Sequence, residues 1–320
     1  MPQPLTIAAV IPVYNQKATV CEAIDSVFAQ TRPVDEIIVV DDGSTDGSGD
    51  LVAQRYGGRV RLLRQENRGA AGAFNTGIRA GTSDLVSLLG ADDRWLPRRI
   101  EKQVAFMEEH PSCMLSFTAA VLADEIHNVS VIEGMIVDKA TFLHKAFFRE
   151  DLLPAGNGVM VRRRVFDEVG LFDEALRKCQ DTDMWLRIMV RYGFEHIAEP
   201  LVWVRRGQHR TEPDMSKWFP YHDIYFRKHR YTFGRGLRGQ AVWRAGYGAV
   251  LRGHANWYFR QGQGRKALAE LAKAVWVWPF FNPSWVLKNG LECLLGPERY
   301  KSAVRLMRTI TGSRRSASDA

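Results

Sequence analysis

The stretch "DLVSLLGADDRWLP" (84–97) decides how the first part of the chain is read. Leu85 to Leu89 form a short apolar run bounded by turn residues, the pattern of a strand buried on both faces. The run stops at Gly90-Ala91, and two adjacent carboxylates follow, Asp92 and Asp93. Like charges side by side at the end of a buried strand repel each other. They call either for a cation or for a capping role at the helix that starts near Pro97.

Outward from this strand the same grammar repeats. "LTIAAVIPV" (5–13) reads as a buried strand, and Val20, Ala23, Ile24, Val27 and Phe28 fall at helical spacing. "DEIIVVDDGSTDGS" (35–48) holds a second strand, Ile37 to Val40, closed by a Gly/Ser/Asp-rich loop. "GDLVAQRYG" (49–57) is a short helix with Gly57 as its stop, and "VRLLRQ" (60–65) a third strand. "GAAGAFNTGIRAG" (69–81) is a helix of small residues leading into the strand at 84–90. This alternation predicts right-handed βαβ units, hence an α/β fold with a mostly parallel, Rossmann-like sheet flanked by helices. Ligands of such sheets sit at the carboxyl ends of the strands. Three of those ends carry Pro12 to Asn15, Asp41 to Ser44, and Gly90 to Asp93, and the topology brings them to one edge.

Beyond residue 97, "RRIEKQVAFMEEH" (98–110) is an amphipathic helix and "CMLSFTAAVL" (113–122) a strand. A smaller α+β portion continues to about residue 210. The composition then shifts to Trp, Arg, Ala and Gly with helical periodicity. This predicts an α/β domain over 1–231, a helical extension over 232–312 and a disordered tail over 313–320.

Hydrophobic residues make up 46% of the 320, enough for a sizeable core. The net charge of +8 points to an acidic partner: nucleic acid, anionic lipid or a phosphorylated small molecule. Cys21, Cys113, Cys179 and Cys293 form no CxxC pair and read as packed thiols in a reducing compartment. The N-terminus has no basic segment or cleavage signature. The longest apolar candidate (274–287) is broken by Pro279, Asn282 and Pro283, so a cytoplasmic location is expected. "GRGLRG" (234–239) matches a dinucleotide pattern only formally, because no strand precedes it.

Taken together, "VIPVYN" (10–15), "VVDDGSTD" (39–46), "ENRGAAGAFNTGI" (66–78), "LLGADD" (88–93), "VGLFDE" (169–174) and "QDTDMWLR" (180–187) resemble the motif series of family 2 glycosyltransferases. The resemblance covers roughly residues 5–215. It implies a GT-A fold, a nucleotide-sugar donor with UDP-sugar as the default, a divalent cation (Mg²⁺ or Mn²⁺), and inversion at the anomeric carbon. On that reading Asp92 and Asp93 hold the metal and diphosphate, with Asp92 also at the nucleotide. Asp41 and Asp42 match the acidic pair at base and ribose. Pro12 and Tyr14 match the loop flanking the base. Asn67, Gly69 and Asn75 match positions lining the nucleotide pocket or its supporting helix. Asp181 matches the catalytic base, with Asp183 and Trp185 beside it. Asn157, in the segment 154–170 resembling the acceptor side, and Arg205 and His209, in a late basic segment, match the diphosphate or acceptor region. The implied acceptor is a glycan or lipid-linked glycan of the cell envelope.

Three positions depart from the family pattern: Gly90 where an Asp is common, Phe74 where an Arg is common, and Gln180 in place of Glu. Arg68 is a candidate to replace the missing Arg. These departures keep open a nucleotide-sugar-binding scaffold without catalysis, and the shared metal and phosphate logic keeps open a nucleotidyltransferase. Plain structural readings stand beside the functional ones: a turn for "DDGSTDGS", a helix N-cap for Asp181. Residues 248–281 resemble one degenerate tetratricopeptide unit through Ala255, Tyr258, Ala267, Leu271, Ala274 and Pro279. The aromatic segment Trp276 to Lys288 suits either helix packing or the surface of an anionic membrane.

Overall fold

The computed structural model describes residues 3–124, 129–133, 156–206 and 214–280. The chain divides into two compact units between Thr211 and Glu212, ahead of the composition change at 232.

The first unit is built on one sheet. Strands β1 (Ile7–Val13), β2 (Glu36–Asp41), β3 (Arg61–Arg64) and β4 (Leu85–Leu88) run parallel in the order β3-β2-β1-β4. Helices α1 (Val20–Phe28), α2 (Ser48–Tyr56) and α3 (Gly69–Ala80) connect them. The chain moves outward from β1 through β2 to β3, then returns to place β4 on the other side of β1. The sheet therefore reverses direction between β1 and β4, the topological switch point at which open α/β sheets bind ligands.

Alternation along β1 explains its unbroken apolar run. Ile7, Ala9, Ile11 and Val13 pack with Val20, Ala23, Ile24 and Val27 of α1, whereas Ala8 packs with Ile38, Val40 and Ala73 on the α3 side. Each fully buried Ile or Val contributes about 1.5–3 kcal/mol relative to exposure. Small residues let α3 lie close to the sheet: a Cβ at Gly77 would stand 2.3 Å from Cγ1 of Val10.

Helix α4 (Arg99–Glu109) leads to the second, mixed half of the sheet. There β5 (Arg94–Trp95), β6 (Leu115–Asp124), β7 (Val129–Glu133), β8 (Met160–Arg162) and β9 (Glu195–Arg206) complete nine described strands. β8 runs antiparallel to β4 and β6, and β9 parallel to β6 through an irregularity at Thr118 to Ala120. Helices α5 (Arg164–Val169) and α6 (Gln180–Tyr192) lie between β8 and β9.

The second unit contains α7 (Phe219–Lys228), α8 (Leu237–Arg260) and α9 (Gly264–Val277). The last two form a hairpin closed by Tyr247, Leu251, Ala274 and Val277. The segment resembling a tetratricopeptide unit falls on this hairpin, but α8 begins at Leu237, well before residue 248, and residue 281 lies outside the described residues.

Candidate functional site

Backbone-to-side-chain bonds lace together the loops after β1 and β2. Asn15 sits in the left-handed region (φ 52°), its amide N–H donates to Ser44 Oγ (3.1 Å), and its Oδ1 accepts from the Thr45 amide (2.8 Å). The Gln16 and Lys17 amides donate to Ser48 Oγ and Asp46 Oδ2, both at 2.9 Å. A non-glycine residue in this conformation is strained and persists where its surroundings over-determine it. The result is a fixed shelf on which Tyr14 stands half-exposed (49%).

The acidic pair splits. Asp42 faces the cleft and accepts from Gln65 Nε2 (2.6 Å), the Arg68 amide (2.9 Å) and the Gly69 amide (2.8 Å). An ionised carboxylate offers about four acceptor positions, so Asp42 keeps capacity for one more donor. Asp41, expected at the nucleoside, does not line this cleft. Its Oδ1 accepts from the Ser44 amide (2.9 Å), and its Oδ2 lies 2.0 Å from where a Cβ at Gly49 would stand. Asp41 therefore closes the turn into α2, and Gly49 is needed to admit it.

Helix α3 divides similarly. Asn75, expected at the pocket or its supporting helix, is buried and serves the helix: its Nδ2 donates to the Phe172 carbonyl (2.9 Å) and Glu174 (3.1 Å), and its Oδ1 accepts from the Phe172 amide (2.9 Å). Phe74, one residue earlier, lines the cleft and stacks on Phe172 at 5.2 Å between ring centroids. Arg68, the candidate to replace the missing Arg, is not among the residues lining the cleft. Its guanidinium forms a two-pronged pair with Glu174 (2.7 and 3.0 Å). Burial pushes the Glu174 carboxyl up, but hydrogen bonds from Asn75 and Arg68 outweigh this and hold it below its ordinary value.

At the end of β4, Asp92 is exposed and Asp93 buried. Neither caps a helix, since α4 begins at Arg99 with Arg98 as its N-cap. Asp93 accepts instead from the Arg205 amide (2.8 Å) and from Asn157 Nδ2. Asn157 Oδ1 in turn accepts from the Gly90 amide (2.6 Å), and Arg205 Nη2 pairs with Glu22 (2.7 Å). Helix α4 backs this corner, with Gln103 donating to the Gly158 carbonyl (2.9 Å) and the fully buried Arg99 to the Val159 carbonyl (3.0 Å). Burial first, and the Asp92 charge second, push the Asp93 carboxyl up to about 7, against the lowering effect of the Arg205 amide and Asn157.

The corner suits a hard divalent cation. Oxygens of Asp92 and Asp93 each come within 3.0 Å of the point a Cβ at Gly90 would occupy, so both carboxylates converge over that glycine. All the donors are oxygens, as Mg²⁺ and Mn²⁺ prefer, and a cation would offset the repulsion that raises Asp93. Among the described residues no cluster of three or more His, Cys, Asp or Glu is placed to hold a metal. Two carboxylates with further oxygens from phosphate and water is the usual complement for Mg²⁺.

Helix α6 begins at Gln180, after Cys179 in the left-handed region (φ 65°). Asp181 is thus the second helical residue, not the N-cap, and its Oδ1 accepts from the Thr182 amide (2.8 Å). Asp183 is fully buried and pairs with Arg187 (3.0 Å), which also donates to the Leu171 carbonyl (2.8 Å). Trp185 is buried edge-on to Phe172. These two matched positions secure the helix that carries Asp181.

One open cleft of about 690 Å³ collects the predicted Pro12, Tyr14, Asp42, Asn67, Gly69 and Asp92 at the switch point. It does not reach Asp41, Asn75, Asp93, Asn157, Asp181 or Arg205. Asp93, Asn157 and Arg205 stand behind Gly90 and Asp92, and Asp181 follows three residues after Lys178 in the cleft wall. His209 lies outside the described residues. The sequence reading missed Gln16, Arg177 and Lys178 as lining residues. A guanidinium N–H of Arg177 approaches Asn67 Oδ1 at 3.4 Å. A basic pair just before the base segment was the one available signal.

Known proteins resemble this chain to differing extents. An uncharacterized glycosyltransferase of Rickettsia felis is 34% identical over 204 residues, covering 61% of this chain and 33% of that protein. The chain thus spans about a third of the length of this relative. A provisionally named teichuronic acid biosynthesis glycosyltransferase of Bacillus subtilis (strain 168), TuaG, is 28% identical, covering 71% of this chain and 92% of TuaG. Among solved structures, S. aureus TarS 1–349 in complex with UDP-GlcNAc superposes with a TM-score of 0.65 over 98% of this chain and 92% of its own, at 13% identity. That likeness concerns the fold, which is GT-A with a helical extension. The model of glycosyl transferase family 2 matches residues 8–170, from the first core strand past the carboxylate corner and over half of the 320 residues, and the protein belongs to that family.

Proposed function

We propose that the protein transfers a sugar from a nucleotide-sugar donor to a hydroxyl of a cell-envelope glycan or lipid-linked glycan, with inversion and dependence on a divalent cation. The observation that carries this reading is the meeting of Asp42 and Asp92 in one cleft at the switch point of the sheet. Asp42, with one acceptor position left, orients the nucleoside through a ring or ribose donor, and Tyr14 and Pro12 flank the base. Asp92 and Asp93 would hold Mg²⁺ or Mn²⁺, which when bound neutralises charge developing on the diphosphate. Asn157 and the Arg205 amide hold Asp93 in place. Asp181 accepts the proton of the acceptor hydroxyl as its oxygen bonds to the anomeric carbon and the bond to the diphosphate breaks on the opposite face. UDP-sugars are the first donors to assay, because the TarS structure similar in fold was solved with UDP-GlcNAc. The name of TuaG supports an envelope glycan as acceptor class.

The test is nucleotide release from UDP-, dTDP- and GDP-sugars with Mn²⁺ or EDTA, for the wild type and Asp181→Asn. One nucleotide should be released in a Mn²⁺-dependent way, and Asp181→Asn should lower the rate by about 10²–10⁴-fold, the range for a general base. Donor binding without release, with acceptors supplied, would identify a scaffold. Failure to bind any nucleotide sugar would remove the transferase reading.

A further inference from the structure

The basic charge of this protein is not spread evenly. Residues 1–211 carry more Asp and Glu than Lys and Arg, so the excess of +8 arises beyond them. Between 214 and 280 there are twelve Lys and Arg against three acidic residues. Each of the three acids is engaged within the unit. Asp214 accepts from Ser216, Asp223 from the Tyr247 hydroxyl (2.7 Å), and Glu270 from Lys273 (2.7 Å). The surface left to a partner is therefore cationic.

That surface also exposes large apolar side chains at one end of the helical hairpin. Tyr247 packs against the cluster of Leu251, Ala274 and Val277 and stands as far before the 261–263 turn as Val277 stands after it, so residues before Tyr247 and after Val277 share the end remote from that turn. At that end Leu237 is 92% exposed, Phe280 78%, and Trp276, at the last turn of α9, 85%. Tyr231, just before α8, and Val242, in its first half, are exposed as well. Arg235 and Arg230 lie against the Tyr231 ring at 5.0 and 5.6 Å, and Arg238 and Arg244 are exposed on α8. Single exposed apolar residues mean little, but a group of them among arginines marks an interaction site.

We infer that this end of the helical unit is a docking surface for an anionic lipid bilayer. Leu, Trp and Phe side chains enter the boundary between headgroups and acyl chains, and arginines on the same end reach the lipid phosphates. Leu237 and Val242 decide between lipid and nucleic acid, since neither stacks on a base nor bonds to a phosphate. No described helix is long and apolar enough to cross a membrane. The inference does not depend on the catalytic reading.

The test is co-sedimentation of the full chain with vesicles of phosphatidylcholine alone and of phosphatidylcholine with phosphatidylglycerol. Wild type should pellet only with the anionic vesicles. Binding should fall by roughly tenfold or more at high salt, as screening shortens the reach of the arginines. Leu237→Ser/Trp276→Ser and Arg235→Glu/Arg238→Glu should each weaken binding by about tenfold or more while the melting temperature is kept, since all four side chains are exposed. Absence of wild-type binding to anionic vesicles overturns the inference and needs no variant. Binding that survives Leu237→Ser/Trp276→Ser but is competed away by heparin also overturns it, in favour of a general polyanion surface.

Discussion

Asp93→Asn is predicted to make the free protein more stable at alkaline pH while abolishing metal-dependent turnover. Burial and the Asp92 charge raise the folded-state Asp93 carboxyl from 3.8 to about 7. The folded chain therefore holds an extra proton between those values. Stability from that proton is complete below the unfolded pKa and is lost as pH rises through about 7. Integrated over the window, the loss is about 4 kcal/mol, and at 6% exposure solvent screens little of it. For a unit of this size that corresponds to roughly 10 °C in melting temperature. Asparagine removes the ionisable group and keeps an oxygen for the Arg205 amide, but it sets an amide donor against the Asn157 donor, costing about 1–3 kcal/mol. Thermal melts near pH 5 and about pH 8 separate the two effects. The lower pH still lies above the range in which Asp84, held down by the Thr6 amide and hydroxyl, begins to lose its contribution. About 3 kcal/mol of the loss falls between pH 5 and the folded-state value of about 7, so wild type should melt roughly 5–10 °C lower at the higher pH, and most of that difference should vanish in the variant. Mn²⁺ should restore wild type at about pH 8 and leave the variant unchanged. An equal pH slope in both proteins would refute the assignment of the buried charge.

Gly90→Asp should destabilise the metal-free protein by about 1–3 kcal/mol through crowding and a third carboxylate, with Mn²⁺ recovering most of the loss in melts. Asn75→Ala should lower stability by about 2–4 kcal/mol in urea titrations, because it leaves the Phe172 amide and carbonyl buried without partners. Arg177→Ala should raise the donor KM by about tenfold with kcat nearly kept, because a cleft cation that meets the anionic donor acts in binding more than in the chemical step.

The parallel half of the fold was legible because its evidence is local. Apolar runs such as Ile7 to Ile11 and Leu85 to Leu89, separated by helical spacing and Gly-rich loops, leave few other arrangements. The start of α6 was read late by two residues, because Cys179 in the left-handed region begins the helix without a capping side chain. The mixed half was less readable. β8 has three residues and β5 two, too short for periodicity, and β9 pairs with β6 from far along the chain.

By itself the sequence determined that carboxylates, a proline–tyrosine loop and a small-residue helix would meet at the ends of parallel strands, since the βαβ alternation and the handedness of its crossovers follow from local pattern and put the carboxyl ends of the strands on one edge. Only the tertiary structure decided which member of each pair faces the cleft. Successive strand residues point to opposite faces, which sends Asp42 to the cleft and Asp41 to α2. One helical step turns Phe74 to the cleft and Asn75 to Phe172. Asn157 and the Arg205 amide come to Asp93 from positions 64 and 112 residues away. Contacts at that separation are set by packing of the whole sheet, and no local window of sequence contains them.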